Sequence, residues 1–219
     1  LCQDLEETKG TVIALIQEPY LRKGKLPYVR GYKVVQYDGL QPRAAILVPD
    51  KLHYFPIPAL TDRDMASILI GKEANVLSSI YMDGLIAVDI TKPLQMIADY
   101  SKHAKCSLLI GCDSNAHSPA WGDKSLDDRG EAVEQFLLNN HLKVDNVGNT
   151  PTFSAEIGET IIDLTISSME VEVTEWAVKT IQQPSDHRMI TFHVKLDSNK
   201  VIKTRQLKKV DWGRFKAEL

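Results

Sequence analysis

The chain has 219 residues, with 43% apolar and 25% charged side chains and a formal charge of −3, the proportions of a globular domain able to bury a sizeable core. The balance excludes a uniformly basic nucleic-acid binder, so any phosphate-binding surface must be local. No apolar run approaches the roughly 18 residues of a membrane span, and Cys2, Cys106 and Cys112 form no CxxC pair, which argues against a disulfide framework or a zinc site and for a reducing compartment.

The first residues read as a helix over 2–7 or longer, already in the middle of an element, as in a domain cut from something longer. A strand is predicted over 12–17 and runs into Glu18, Pro19 and Tyr20, where the proline stops regular pairing. Arg22, Lys23, Lys25 and Arg30 form a basic cluster, either a phosphate contact or a solvated face. Strands follow over 33–36, 44–48, 66–70 and 75–81, several of them continuous apolar runs of the kind found where both sheet faces are covered. Helical spacing over 92–105 places Leu94, Ile97, Ala98 and Tyr100 on one stripe. A strand over 107–111 runs into Asp113, Ser114, Asn115, Ala116, His117, Ser118 and Pro119, a segment rich in turn formers. A second helix over 129–140 aligns Ala132, Val133, Phe136 and Leu137. The residues 154–160 lie between strands and contain Gly158, which reads as a hairpin loop. A strand over 160–167 carries Asp163 inside an apolar run, and Ser185, Asp186 and His187 precede a last strand over 190–195. From 196 onward charge replaces alternation, and Lys200, Lys203, Arg205, Lys208 and Lys209 cluster there. This tail reads as a linker or as a C-terminal helix. Helices interleaved between more numerous strands indicate an α/β layered sandwich of mixed sheets.

Glu18, Asp113, Asp163 and Asp186 all fall at the ends or inside core strands. Each alone is an ordinary turn residue, but carboxylates so placed are costly unless paired, hydrogen-bonded or bound to a cation. Adjacent strands bring their ends together. A hard divalent cation needs only one or two carboxylates, and a histidine oriented by a buried aspartate suits the attacked side of a phosphodiester. The chain has no GxSxG, P-loop, GxGxxG or HExxH, so nucleophilic triads and nucleotide-fold chemistry have no support. His53, His103, His141 and His193 lack comparable surroundings and read as structural or solvated.

The order Gln17-Glu18-Pro19, Tyr81, Gly111-Cys112-Asp113-Ser114-Asn115-Ala116-His117, Pro151-Thr152-Phe153, Ile162-Asp163-Leu164 and Ser185-Asp186-His187 resembles the exonuclease–endonuclease–phosphatase superfamily over residues 11–195. Arg43-Ala44-Ala45-Ile46, Trp121-Gly122, Arg129-Gly130-Glu131 and Trp176 narrow the resemblance to endonuclease domains of LINE-type (non-LTR) retrotransposons. It implies a four-layered α/β sandwich of two mixed β-sheets flanked by helices. It further implies a nuclear, Mg²⁺-dependent enzyme (Mn²⁺ an alternative) that nicks double-stranded DNA and leaves a 3′-hydroxyl for target-primed reverse transcription. A reverse transcriptase domain would follow the linker 196–219, with element RNA as a further partner and no membrane.

By the same resemblance Glu18 binds metal, supported by Asp186. Asp163 orients His187 beside the phosphate. Asp113 and Asn115 activate water or protonate the leaving oxygen and align the phosphate. Tyr81 touches the scissile phosphate, or else is a core aromatic. Arg22, Lys23, Lys25, His117, Thr152 and Ser154 are candidate DNA contacts, Thr152 being equally a strand residue, and the hairpin enters the DNA near the cut. Its short or acidic side chains suit sensing of groove shape more than base edges. The family usually has a strand bearing an asparagine before the glutamate block. Here only Gln3 and Asp4 lie upstream, so a sheet short of one strand and weakened activity are expected. A lipid or RNA phosphodiesterase and a non-catalytic DNA-binding descendant are the competing readings.

Overall fold

The computed structural model describes residues 11–71, 75–156, 158–180 and 185–195. The expected first helix, any strand upstream of residue 11 and the tail 196–219 lie outside them. Three strands, β1 (Ala14–Gln17), β2 (Tyr32–Gln36) and β3 (Ala44–Pro49), form an antiparallel sheet in the order β1-β3-β2. A second sheet has the order β4-β5-β6-β7-β11-β8. It contains β4 (Tyr54–Pro56), β5 (Met65–Ile70), β6 (Asn75–Tyr81), β7 (Leu108–Asp113), β8 (Leu142–Val144) and β11 (Asp163–Ser168). It is mixed, because β6 and β7 run parallel while the other pairs are antiparallel. The crossover between those two strands carries helix α1 (Lys92–Ala104), and α2 (Asp128–Asn140) follows β7, as a parallel connection requires. Two further pairs complete the described chain, the hairpin β9 (Phe153–Ala155) with β10 (Gly158–Thr160) and the pair β12 (Val173–Val178) with β13 (Ile190–Val194).

Period-two alternation sends the central sheet's residues into two cores. Val76, Ile80, Leu108, Ile110, Cys112, Leu164 and Ile166 join Leu94 and Ile97 of α1 and Val133 and Phe136 of α2 on one face. On the other face Ile68, Ile70, Leu77 and Leu109 meet Val35, Ile46 and Val48 of the first sheet, with Leu15, Val173 and Phe192 packed beside them. Each such side chain contributes on the order of 1.5–3 kcal/mol by leaving water. The α/β architecture of two main sheets and few helices is the one expected.

Along the inter-sheet face the rows change character. Leu77 and Leu109 form one row, Ser79, Gly111 and Thr165 the next, and Tyr81, Asp113 and Asp163 the last. The middle row is small because the sheets approach closely there. A Cβ on Gly111 would come within 2.8 Å of Leu15 Cδ1. Gln17 spans the gap, its Nε2 donating to Ser79 Oγ at 2.8 Å and to the Gly111 carbonyl at 3.1 Å.

Two expectations change. The run 160–167 is not one strand: β10 ends at Thr160 and β11 begins at Asp163. The Ile161 and Ile162 backbone leaves the ladder for Trp121 Nε1, Thr152 Oγ1 and Ser114 Oγ. Asp163 is therefore a half-buried strand-start residue instead of an interior one. The residues 154–160 are themselves mostly strand, leaving only a short tip.

Candidate active site

The last row of the inter-sheet face sets the site. Tyr81, Asp113 and Asp163 are direct cross-strand neighbours on β6, β7 and β11, which places the three side chains about 5 Å apart along one sheet edge. His187 reaches the same edge from the segment before β13, forming a bridge with Phe153 and an edge-on ring contact at 4.9 Å. That segment is zipped to the hairpin, with Ser154 N donating to the Asp186 carbonyl at 2.8 Å and Arg188 N to the Thr152 carbonyl at 2.6 Å. His187 Nδ1 faces both Asp163 oxygens at 3.0 Å, and its Nε2 lies 3.7 Å from Asp113 Oδ2. One ligand atom each from Glu18, Asp113 and His187 lie within 4.8 Å of one another. The carboxylate oxygens of this group suit a hard divalent cation, with the imidazole beside it and not among its ligands.

The charges interact strongly. Burial and the neighbouring Asp163 push the Asp113 carboxyl up to about 7, despite the opposing charge of His187. Burial alone would lower His187, but the hydrogen bond and charge of Asp163, aided by Asp113 and Glu18, carry it up to about 9. Tyr81 is pushed up to about 12, by burial first and then by Glu18, Asp83 and Asp113.

Two site residues adopt left-handed backbones, Glu18 at φ 45 and Asn115 at φ 47. Asparagine tolerates this conformation, but for glutamate it costs on the order of 1 kcal/mol and persists only where surroundings impose it. Glu18 N donates to the Arg43 carbonyl at 2.8 Å, and the exposed carboxylate turns toward the cluster. Asn115 Nδ2 donates to the Met82 carbonyl at 3.0 Å. Beneath it Arg129 donates to the Ser114 carbonyl at 3.0 Å and to the Ile86 carbonyl at 2.7 Å, fixing the loop that follows β7.

The remaining sequence candidates divide. Arg22, Lys23 and Lys25 are exposed on a tight turn beside an open groove lined by Glu18, Pro19, Leu21, Gly24, Arg43 and Arg63. Asp186 is exposed and lies outside the Glu18–Asp113–His187 group. His117 is partly exposed, with Nδ1 2.8 Å from buried Asp123. Ser154 is half-buried and donates to Glu159 at 3.2 Å. Thr152 requires correction as a DNA contact. It is fully buried, and its hydroxyl oxygen accepts from Ile162 N and Asp163 N, both at 3.1 Å. Its place is behind Asp163, which it holds at the start of β11. Asn146 does the same from the other side, donating to the Asp163 carbonyl at 2.9 Å and accepting from Thr165 N at 2.9 Å. Asn146 and Asp123 stand in no motif block, while Gln17, Arg129 and Arg43 do, but their supporting tasks depend on partners that only the fold brings near.

A family model described as Endonuclease-reverse transcriptase matches residues 76–191, just over half of the chain and most of the site. A search of curated proteins gave no match. Among solved structures the fold is similar to the endonuclease domain of TRAS1, a telomere-specific non-LTR retrotransposon. The TM-score is 0.75 with 28% identity, over 89% of this chain and 90% of that one. It is also similar to an AP endonuclease from Archaeoglobus fulgidus, with TM-score 0.65 and 14% identity over 89% and 92% of the two chains. The catalytic domain of Xenopus laevis APE2 matches with TM-score 0.62 and 12% identity over 91% and 89%. These last two share the fold. With the exonuclease–endonuclease–phosphatase architecture in place and the family model spanning β6 to β13, the chain belongs to the endonuclease-reverse transcriptase family.

Proposed function

We propose that this chain is a divalent-cation-dependent DNA endonuclease that nicks one strand and leaves a 3′-hydroxyl to prime reverse transcription. The observation that carries the reading is the site's last row, in which Asp113 stands between Tyr81 and Asp163 with Glu18 and His187 in reach. Glu18 would hold the cation, Mg²⁺ on this reading, with exposed Asp186 acting through water. When bound, it neutralises phosphoryl charge and lowers the carboxyl and water pKa values nearby.

The rest falls to the protein. A histidine raised to about 9 is protonated at neutral pH, so His187, locked by Asp163, serves as a fixed positive donor to a non-bridging phosphate oxygen. Asp113, which burial and the neighbouring Asp163 push up in the cation-free site to about 7, holds a proton more readily than an exposed aspartate and can exchange it with the reacting oxygens. In the reaction water adds to phosphorus, the P–O3′ bond breaks, and the leaving 3′-oxygen takes a proton, giving 3′-hydroxyl and 5′-phosphate ends. Asp113 either receives the water's proton or supplies the leaving group's. Tyr81 and Asn115 border the phosphate on this reading, while Arg22, Lys23 and Lys25 lie along the flanking backbone. A reverse transcriptase domain, element RNA and a nuclear site of action complete the proposal for the full protein.

Nicking of supercoiled plasmid in Mg²⁺, compared among the parent, Glu18→Ala and His187→Ala, is the direct test. Loss in both variants is expected, whereas equal nicking by all three proteins refutes the assignment and indicates a contaminant. Hydrolysis of a lipid or RNA phosphodiester with intact plasmid would move the substrate class.

A further inference from the structure

Arg43 stands where the two sheets meet at the site and belongs to neither the cation cluster nor the phosphate-binding row. Its guanidinium forks onto Asp64, Nε to Oδ1 at 2.5 Å and Nη2 to Oδ2 at 2.6 Å, and its Nη1 donates to Asp83 Oδ2 at 2.7 Å. All three side chains are partly screened from water. The same guanidinium lies over the Tyr81 ring, 4.6 Å from its centre. The backbone repeats the pattern: Arg43 N donates to the Arg63 carbonyl, the Arg43 carbonyl accepts from Glu18 N, and Tyr81 N donates to the Asp64 carbonyl. One residue thus touches the anchor of Glu18 through its main chain and the face of Tyr81 through its side chain.

The chemistry of the contact is specific to arginine. A planar fork binds one carboxylate with two parallel bonds, donates to a second from its remaining nitrogen, and still presents a flat cationic face to an aromatic ring. An ammonium is a point charge and meets only part of that demand. Asp83 also accepts from Leu85 N at 2.9 Å, so the turn that follows Tyr81 hangs from the same guanidinium. Without Arg43, Asp64 and Asp83 would place uncompensated negative charge beside the ring on which an anionic phosphate is to settle.

We propose that Arg43 is a positioning residue for phosphodiester cleavage, clamping Tyr81 between the sheets at the angle and charge the scissile phosphate requires. This rests on the reading of Tyr81 as a phosphate contact. Because such a clamp acts on the geometry of the reacting complex, its loss should appear in kcat more than in KM.

The test is a double-mutant cycle on plasmid nicking, with Arg43→Lys introduced into the parent and into Tyr81→Phe. Each protein is assayed below its own melting temperature. Arg43→Lys should lower kcat by about tenfold or more in the parent with KM within about threefold. It should lower kcat by less than about twofold in Tyr81→Phe, because contacting residues couple. Asp83→Asn, which removes one arm and leaves the Asp64 fork, should show a smaller loss with the same dependence on Tyr81, and it decides the matter if Arg43→Lys does not fold. Parental kcat in the Arg43 and Asp83 variants, or equal losses in both backgrounds, would overturn the clamp. Parental nicking by Tyr81→Phe would instead remove the phosphate role of Tyr81 itself.

Discussion

His187 and Asp163 are the pair on which single substitutions should bear most. Asp163→Asn keeps the shape but loses the charge that raises the imidazole, and His187→Ala loses the donor. Each should reduce plasmid nicking by roughly 10²–10⁴-fold with little change in circular dichroism. Asp163→Asn should also move the His187 titration, followed by NMR in metal-free protein, from about 9 toward the ordinary 6.5. Stability follows from the same shifts. A histidine raised on folding stabilises the native state fully below pH 6.5, and the contribution is lost as pH climbs through about 9. Asp113, raised from 3.8 to about 7, works in the same direction over a lower window, because the fold favours its protonated form. The metal-free melting temperature should therefore fall from acid toward pH 9, and Asp113→Asn should flatten the part of that slope below pH 7. A flat profile in the parent would show that the imidazole and carboxyl are not coupled as described.

At the level of elements, the site depends on supports remote from its chemistry. Thr152 satisfies two backbone donors at the start of β11, so Thr152→Val leaves both unpaired in a buried position. A loss of about 1–3 kcal/mol in denaturant unfolding is expected, together with reduced nicking from a misplaced Asp163. Helix α2 begins at a carboxylate cap, where Asp127 Oδ1 accepts from Gly130 N at 2.7 Å and from His117 N at 3.0 Å. A Cβ on Gly130 would overlap the His117 carbonyl oxygen. Gly130→Ala should destabilise the domain by about 1–3 kcal/mol by forcing the loop after β7 away from the helix. On the proposed reading the hairpin β9–β10, fastened to the His187 segment, reads groove shape near the cut. Grafting its tip from a relative with another target should shift nick positions, and unchanged positions would remove it from target choice. Sequence patterning found the long apolar strands and both described helices, because alternation and helical stripes are local. It did not find β4, β8, β9, β10 or β12. The first four are three-residue strands, too short to alternate, and β12 packs only part of one face.

For the whole molecule, net charge is slightly negative, so on the proposed reading DNA affinity rests on local clusters of cations, and among the described residues Arg22, Lys23 and Lys25 beside Glu18 form one. Replacing Arg22, Lys23 and Lys25 with alanine should flatten the dependence of log K on log salt by about 0.9 for each phosphate contact removed. An unchanged slope in fluorescence anisotropy would mark the turn as a solvated face. The motif blocks led to the residues that meet, since Glu18, Asp113, Asp163 and His187 arrive at one edge from four separate stretches. The scaffold behind them was silent in the sequence. Thr152 and Asn146 look like any polar loop residue until long-range pairing puts them behind Asp163, and the task of Arg43 depends on two aspartates that only the second sheet brings near.

The imidazole comes from the segment before β13, whereas the first carboxylate leaves β1. Glu18, Asp113 and Asp163 all precede His187 in the chain, so the histidine is the last member of the cluster to be synthesised. A polypeptide ending ahead of Ser185 lacks the group that Asp163 holds, and on the proposed reading it should fail to nick supercoiled plasmid.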